Sequence, residues 1–340
     1  MSSAHSPLSE PFFSVGVTTY DRVEMLIETL NSILGQTFHD YEVIVSNDNP
    51  HRTLTGNSLG INDPRVIFVN QSKNLGELYN MGFLLKTSRG KYFTWLADDD
   101  LYAPNFLQAI YDALMKYDFP RVIFTSYATG DVNARIESNA MGDAYLYSGP
   151  QFIQRYLSRS LITQGCYGIF DIEYLRGIGG MERMGNGFSP YSDNLLAIKS
   201  GLLERVVYIN APLILYRIHE GSLSCTSKDI TSYFSAQEDL CRKSINILKT
   251  NGLRDNFKRN LYLLLKWCIG DYYSILHRSG TIHWKQVTSY LLFISEYMKL
   301  LKGSLFFWKT IGFLIKGMGR GILYMGKKKL KLLFAGASGN

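Results

Sequence analysis

Three consecutive acids stand where an apolar run ends. Asp98, Asp99 and Asp100 follow the stretch KYFTWL, and carboxylates set side by side repel one another unless positive charge sits among them. A hard divalent cation, Mg2+ or Mn2+, suits that place. It takes a few carboxylates and completes its shell with substrate phosphate oxygens. A solvated acidic turn before Pro104 is the plainer alternative. Two further polar clusters, Thr18–Tyr20 and Ser46–Asn49, also close apolar runs, which favours a shared site. Asp193 precedes Leu195-Leu196-Ala197 and has two readings. It is a helix cap, or a carboxylate free to take a proton. Arg217 and His219 lie in YRIHEGSLS and offer a cation for phosphate and a further metal ligand; a lone His is more often structural. There is no G-x-x-x-x-G-K-[ST] and no G-x-G-x-x-G after the first apolar run, so the glycine phosphate cradles are excluded. Phosphates here would be held through a metal.

The elements that must position these residues follow from periodicity. Phe12–Thr19 reads as a buried strand. Val23, Leu26, Ile27, Leu30, Ile33 and Leu34 recur at helical spacing, so 22–35 reads as an amphipathic helix behind Asp21 as cap. Strands are expected at Tyr41–Val45, Arg65–Val69, Tyr92–Leu96 and Val122–Ser126. Helices are expected from Asn74, as cap, to Lys86, and from Pro104 to Tyr117. This alternation implies an α/β fold with a mostly parallel sheet. Ligands of such sheets sit beyond the carboxyl ends of strands, where Thr18–Tyr20, Ser46–Asn49 and Ala97–Asp100 should converge. Residues 130–225 are less regular and glycine-rich. A short helix is expected near 194–200, and 226–302 reads as mostly helical.

Composition bounds the partners. The chain has 340 residues, 46% hydrophobic and 19% charged, enough for a sizeable core and against global disorder. Four cysteines without a C-x-x-C pair argue against a zinc ribbon or a secreted disulfide framework. Residues 281–340 carry ten Lys/Arg and one acid; the whole chain is +7, so residues 1–280 are net −2. The basic charge belongs to the tail, which argues against a nucleic-acid partner. The N-terminus has no signal-peptide pattern. No run of 18 apolar residues occurs, which argues against a spanning helix.

The ordered motifs SVGVTTYDR, TLNSILGQTFHDYEVIVSND, DPRV, NLGELYN and GKYFTWLADDDLYAP resemble the nucleotide-sugar half of inverting glycosyltransferase family 2. Weaker echoes continue at Gly179–Met181, Ser192–Gly201 and Tyr216–Ser224. The resemblance implies a GT-A α/β/α sandwich with a C-terminal helical extension, and transfer of a sugar from a nucleotide donor, UDP favoured. It places Thr18, Tyr20, Asp48 and Asn80 at the donor, with Asn74 and Gly76 in the same pattern. Counted back from Pro104, Asp99 falls on the metal position and Asp98 on the ribose position. Asp100 shares the metal or orients the site, and Asp193 becomes the base. Ala97 and Ser192 replace two acids of the pattern.

Lys302, Lys309, Lys316, Arg320, Lys327 and Lys331 are spaced 7, 7, 4, 7 and 4 and fall along one helix face. Between them lie Leu305, Phe306, Phe307, Trp308 and Ile315, which describes an interfacial helix on an anionic membrane. The expected organisation is a catalytic domain over 1–225, a helical region over 226–302 and a membrane-associating tail over 303–340. The nucleotide-sugar half would cover about 12–128 and the acceptor half 129–225. The enzyme would sit at the cytoplasmic face of a bacterial membrane and build surface glycan on a lipid-linked or polysaccharide acceptor. A membrane-bound scaffold without turnover is the competing reading. A sugar-phosphate nucleotidyltransferase is disfavoured, because TTYDR stands where its basic glycine loop would be.

Overall fold

Alternating β-branched and aromatic runs near the N-terminus build one side of a nine-stranded sheet. The computed structural model describes residues 10–136, 142–186, 189–222, 227, 229–250, 252–279 and 284–317. Strand β1 (Phe13–Thr19) pairs in parallel with β2 (Tyr41–Asn47) and with β4 (Tyr92–Ala97), and β2 pairs in parallel with β3 (Val66–Asn70). The remaining strands are β5 (Leu101–Tyr102), β6 (Val122–Gly130), β7 (Ala144–Tyr147), β8 (Ile169–Asp171) and β9 (Val206–Arg217). The sheet order is β3-β2-β1-β4-β8-β6-β9-β5, with β7 on β9. Its long ladders, including β6 on β9, are parallel.

Helix α1 (Val23–Leu34) buries Leu26, Leu30 and Ile33 against this sheet, beside the fully buried Phe13, Val15 and Val17. Each such side chain contributes about 1.5–3 kcal/mol. After the short α2 (Gly56–Leu59) come α3 (Glu77–Thr87) and α4 (Phe106–Lys116). Helices α5 (Gly149–Leu157), α6 (Ile172–Gly177) and α7 (Ser192–Ser200) follow in the second half.

Two expected caps differ. Arg22, not Asp21, is the N-cap of α1; Asp21 has a φ of 59° and pairs with Arg52 instead. Gly76, not Asn74, caps α3. At φ 80° it takes a backbone shape that favours glycine, and the Asn74 side chain accepts from its N–H. The half expected to be irregular contains the longest strand, β9. Its pairing slips around Ser126 and Pro212, and that slip removes the clean period a sequence reading relies on.

The fold divides into two units. The first comprises Met1–Arg183 and Ser192–His219, and the second Met184–Tyr191 and Glu220–Asn340. In the second, Asp229 caps α8 (Ile230–Leu248) by accepting from Thr231 and Ser232. It is followed by α9 (Phe257–Ser279), α10 (Trp284–Met298) and a helix over 305–317. Leu240, Cys241, Leu264, Cys268 and Ile294 form its interior. No helix of the described residues is long and apolar enough to cross a membrane. The 305–317 helix differs from the expected lysine stripe opposite an apolar face. Leu305, Trp308 and Ile315 are exposed together with Lys309 and Lys316, and their spacing puts them on one side. Arg320, Lys327 and Lys331 lie outside the described residues.

Candidate active site

The register of β1 sets Thr18 opposite Ser46 on one side and Ala97 on the other. The three polar strand ends therefore meet at one edge of the sheet. There Thr19 Oγ1 donates to Asp98 Oδ2 at 2.6 Å. The Arg22 guanidinium bridges two acids, with Nη2 at 2.5 Å from Asp98 Oδ1 and Nη1 at 2.6 Å from Asp99 Oδ2. His219 Nε2 lies 2.9 Å from the same Asp99 oxygen. Asp100 turns inward: Tyr167 OH donates to Oδ2 at 2.7 Å and the Arg217 N–H to Oδ1 at 3.0 Å. Arg217 is fully buried, and its guanidinium donates to the Asp99 carbonyl and the Glu28 carboxylate.

This crowding has an electrostatic signature. Burial pushes the Asp98 carboxyl up to about 6, against the pull of Arg22 and the Thr19 hydroxyl. Burial and then Asp99 push Asp100 up to about 7, opposed by the Arg217 N–H and the Tyr167 hydroxyl. The acids are thus held together by one bridging cation, two hydroxyls and a backbone N–H.

Asp193 opens α7 and is partly accessible. Its carboxylate accepts from Gly165 N–H at 3.3 Å. Burial raises its carboxyl above the ordinary value, with the N–H groups of Asn194 and Gly165 pulling back. The contact explains the glycine, since a Cβ at residue 165 would land 1.7 Å from the Asp193 carbonyl oxygen. Glu77 stands in the first turn of α3. It reaches solvent yet is walled by protein, so desolvation raises its carboxyl first. Arg22 lowers it, while Asp99, Asp193 and Asp98 raise it further. Glu77 therefore lies within electrostatic reach of both the strand-end acids and Asp193.

The other residues singled out in the sequence take two kinds of place. Thr18 is half-buried at the strand end and Tyr20 is exposed just beyond it. Asp48 is buried, and its oxygens accept from the N–H groups of Leu75 and Gly76, both at 2.8 Å. Asn80 is buried too and exchanges hydrogen bonds with the Ser46 hydroxyl and carbonyl. Asp48 and Asn80 thereby fix α3 to the end of β2.

Arg22, Glu77, Glu28 and Tyr167 escape the sequence reading, whereas Thr19 lies within the expected Thr18–Tyr20 cluster. Arg22 and Glu77 stand inside quoted motifs, TTYDR and NLGELYN, and an uncompensated acidic triplet is itself a signal to search for a nearby arginine. Glu28 and Tyr167 carry no local signal.

The donor set near Asp99 fits a divalent ion. A hard carboxylate oxygen and an imidazole nitrogen face each other, and phosphate oxygens would fill the remaining positions. Both Asp100 oxygens are turned to Tyr167 and Arg217 instead. Among the described residues no three His, Cys, Asp or Glu side chains form a ready cage.

Residues 14–174 match the family model "Glycosyl transferase family 2". The chain is 32% identical over 113 residues to an uncharacterized glycosyltransferase of Rickettsia typhi, covering 33% of this chain and 35% of the relative. It is 27% identical over 99 residues to the putative colanic acid biosynthesis glycosyl transferase WcaA of Escherichia coli, covering 28% of this chain and 36% of WcaA. The chain thus spans about a third of the length of these curated relatives. In fold it is similar to residues 1–349 of S. aureus TarS, solved in complex with UDP-GlcNAc. The TM-score is 0.62 with 15% identity, over 90% of this chain and 88% of that one.

Proposed function

We propose, from the match of residues 14–174 to the glycosyl transferase family 2 model, that the protein is an inverting transferase of that family. It moves a sugar from a nucleotide donor, UDP favoured, to a saccharide or lipid-linked acceptor of a surface glycan. The observation that carries the reading is the strand-end cluster in which Arg22 and His219 both meet the Asp99 carboxylate.

Inversion requires in-line attack by an acceptor hydroxyl on the anomeric carbon, from the side opposite the leaving diphosphate. Asp193 takes the hydroxyl proton. Its raised carboxyl makes it a stronger base than an ordinary carboxylate. Gly165 N–H holds its side chain in place. Asp99 and His219 would hold Mg2+ or Mn2+, which when bound supplies charge neutralisation for the departing diphosphate. Thr18 and Tyr20, being accessible, contact the nucleotide. Asp48, Asn80, Asp98, Asp100 and Arg217 are buried and act by positioning. The exposed Leu305, Trp308 and Ile315 with Lys309 and Lys316 support peripheral contact with an anionic membrane, the lysine heads reaching the lipid phosphates.

Asp193→Asn tests the assignment. Turnover should fall by ~10²–10⁴-fold while UDP-sugar affinity stays nearly unchanged. Loss of donor binding, or retained turnover, would remove Asp193 from the base role.

A further inference from the structure

Arg22 occupies the seat that a divalent ion would need. Its planar fork spans the two carboxylates, meeting Asp98 Oδ1 at 2.5 Å and Asp99 Oδ2 at 2.6 Å. The second of these oxygens is also the one that faces His219 Nε2 at 2.9 Å. An ion entering between Asp99 and His219 must therefore bind an oxygen already held by a permanent cation, and two positive charges at that range repel strongly. Asp98 is fully buried, so it cannot turn to water if Arg22 leaves. The Arg22 side chain itself is 36% exposed, so one side of its guanidinium faces solvent. A nucleotide diphosphate brings the anionic oxygens that would attract it.

We infer that Arg22 is a resident counter-cation that keeps divalent ions off Asp99 until donor phosphates arrive. It thereby makes ion and donor bind cooperatively. The inference rests on Asp99 and His219 as the ion seat. Linkage requires the effect to be mutual: the donor tightens the ion, and the ion tightens the donor. Arg22 is a positioning residue in this role, acting through the occupancy of Asp99.

The test is Mn2+ binding to the full-length protein, read from the EPR signal of free Mn2+, with and without UDP. Without UDP, Arg22→Gln should bind Mn2+ about 5–150-fold more tightly than wild type. Arg22→Lys keeps the charge but cannot fork across two carboxylates, and should show a smaller gain. UDP should raise the affinity of wild type more than that of Arg22→Gln. Arg52→Gln, which removes an exposed positive charge paired with Asp21, should behave as wild type. Equal or weaker Mn2+ binding by both Arg22 variants overturns the inference, as does a matching gain in Arg52→Gln. If Mn2+ binds all forms alike, the inference alone falls. If it binds none of them even with UDP, the ion seat falls as well.

Discussion

At the residue scale the proposed base is Asp193, whose carboxylate accepts from the Gly165 N–H. Burial lifts the Asp193 carboxyl above the ordinary 3.8, and a base works only when ionised. The acid limb of turnover should therefore lie above pH 3.8; a limb at or below that value in a pH–rate profile contradicts the assignment. The same shift carries a stability sign. The folded protein keeps a proton that the unfolded chain releases, so the contribution is fully present below pH 3.8 and is lost as pH rises through the raised folded value. Asp193→Asn should accordingly melt with less pH dependence across that window. Gly165→Ala should force Asp193 aside, because 1.7 Å leaves no room for a Cβ against backbone. Overpacking of this kind costs about 1–3 kcal/mol, so thermal melts should fall and turnover should drop while UDP still binds. The acids and the base were legible as residues in the sequence, but their partners were not. Arg22 was visible as part of a motif, yet its reach to Asp98 and Asp99, 76 and 77 positions on, depends on a β1–β4 register that only the folded sheet supplies.

At the scale of elements, the site is held by a chain of contacts running from α1 to β9. Thr29 on α1 donates to the Asp100 carbonyl, Tyr167 holds the Asp100 side chain, and Arg217 at the end of β9 ties Asp99 to Glu28. Tyr167→Phe should cost about 1–3 kcal/mol in chemical denaturation, since it leaves a buried carboxylate oxygen without its donor. An unchanged midpoint would mean that Tyr167 does not brace the acids. In the first 130 residues, β1 to β4, β6, α1, α3 and α4 were readable as short apolar runs or helical periods, whereas the short α2 and β5 were not. Short β8, with three residues, and the slipped β9 offer no such period. That is why Arg217 looked like a loop cation, when burial in β9 makes it a brace.

At the scale of the whole molecule, the net positive charge is concentrated in residues 281–340, while Asp98, Asp99 and Asp100 cluster at the sheet edge. Removing residues 303–340 should abolish sedimentation with anionic vesicles, and raising salt should weaken the binding of the full chain. A full chain that ignores such vesicles at low salt would contradict membrane contact. The α/β class and the place of the site at strand ends followed from element order alone. A helical region after residue 225 was expected, but the grouping of Met184–Tyr191 with the helices rather than the sheet was not, because contacts between distant segments leave no local pattern. The most direct measurement is a calorimetric titration of UDP with Mn2+ present, on wild type and on Asp99→Ala. Saturable binding by wild type that is lost in the folded variant is the expected result. Equal UDP affinity in both proteins, or none in wild type, would contradict a nucleotide-sugar site built on Asp99.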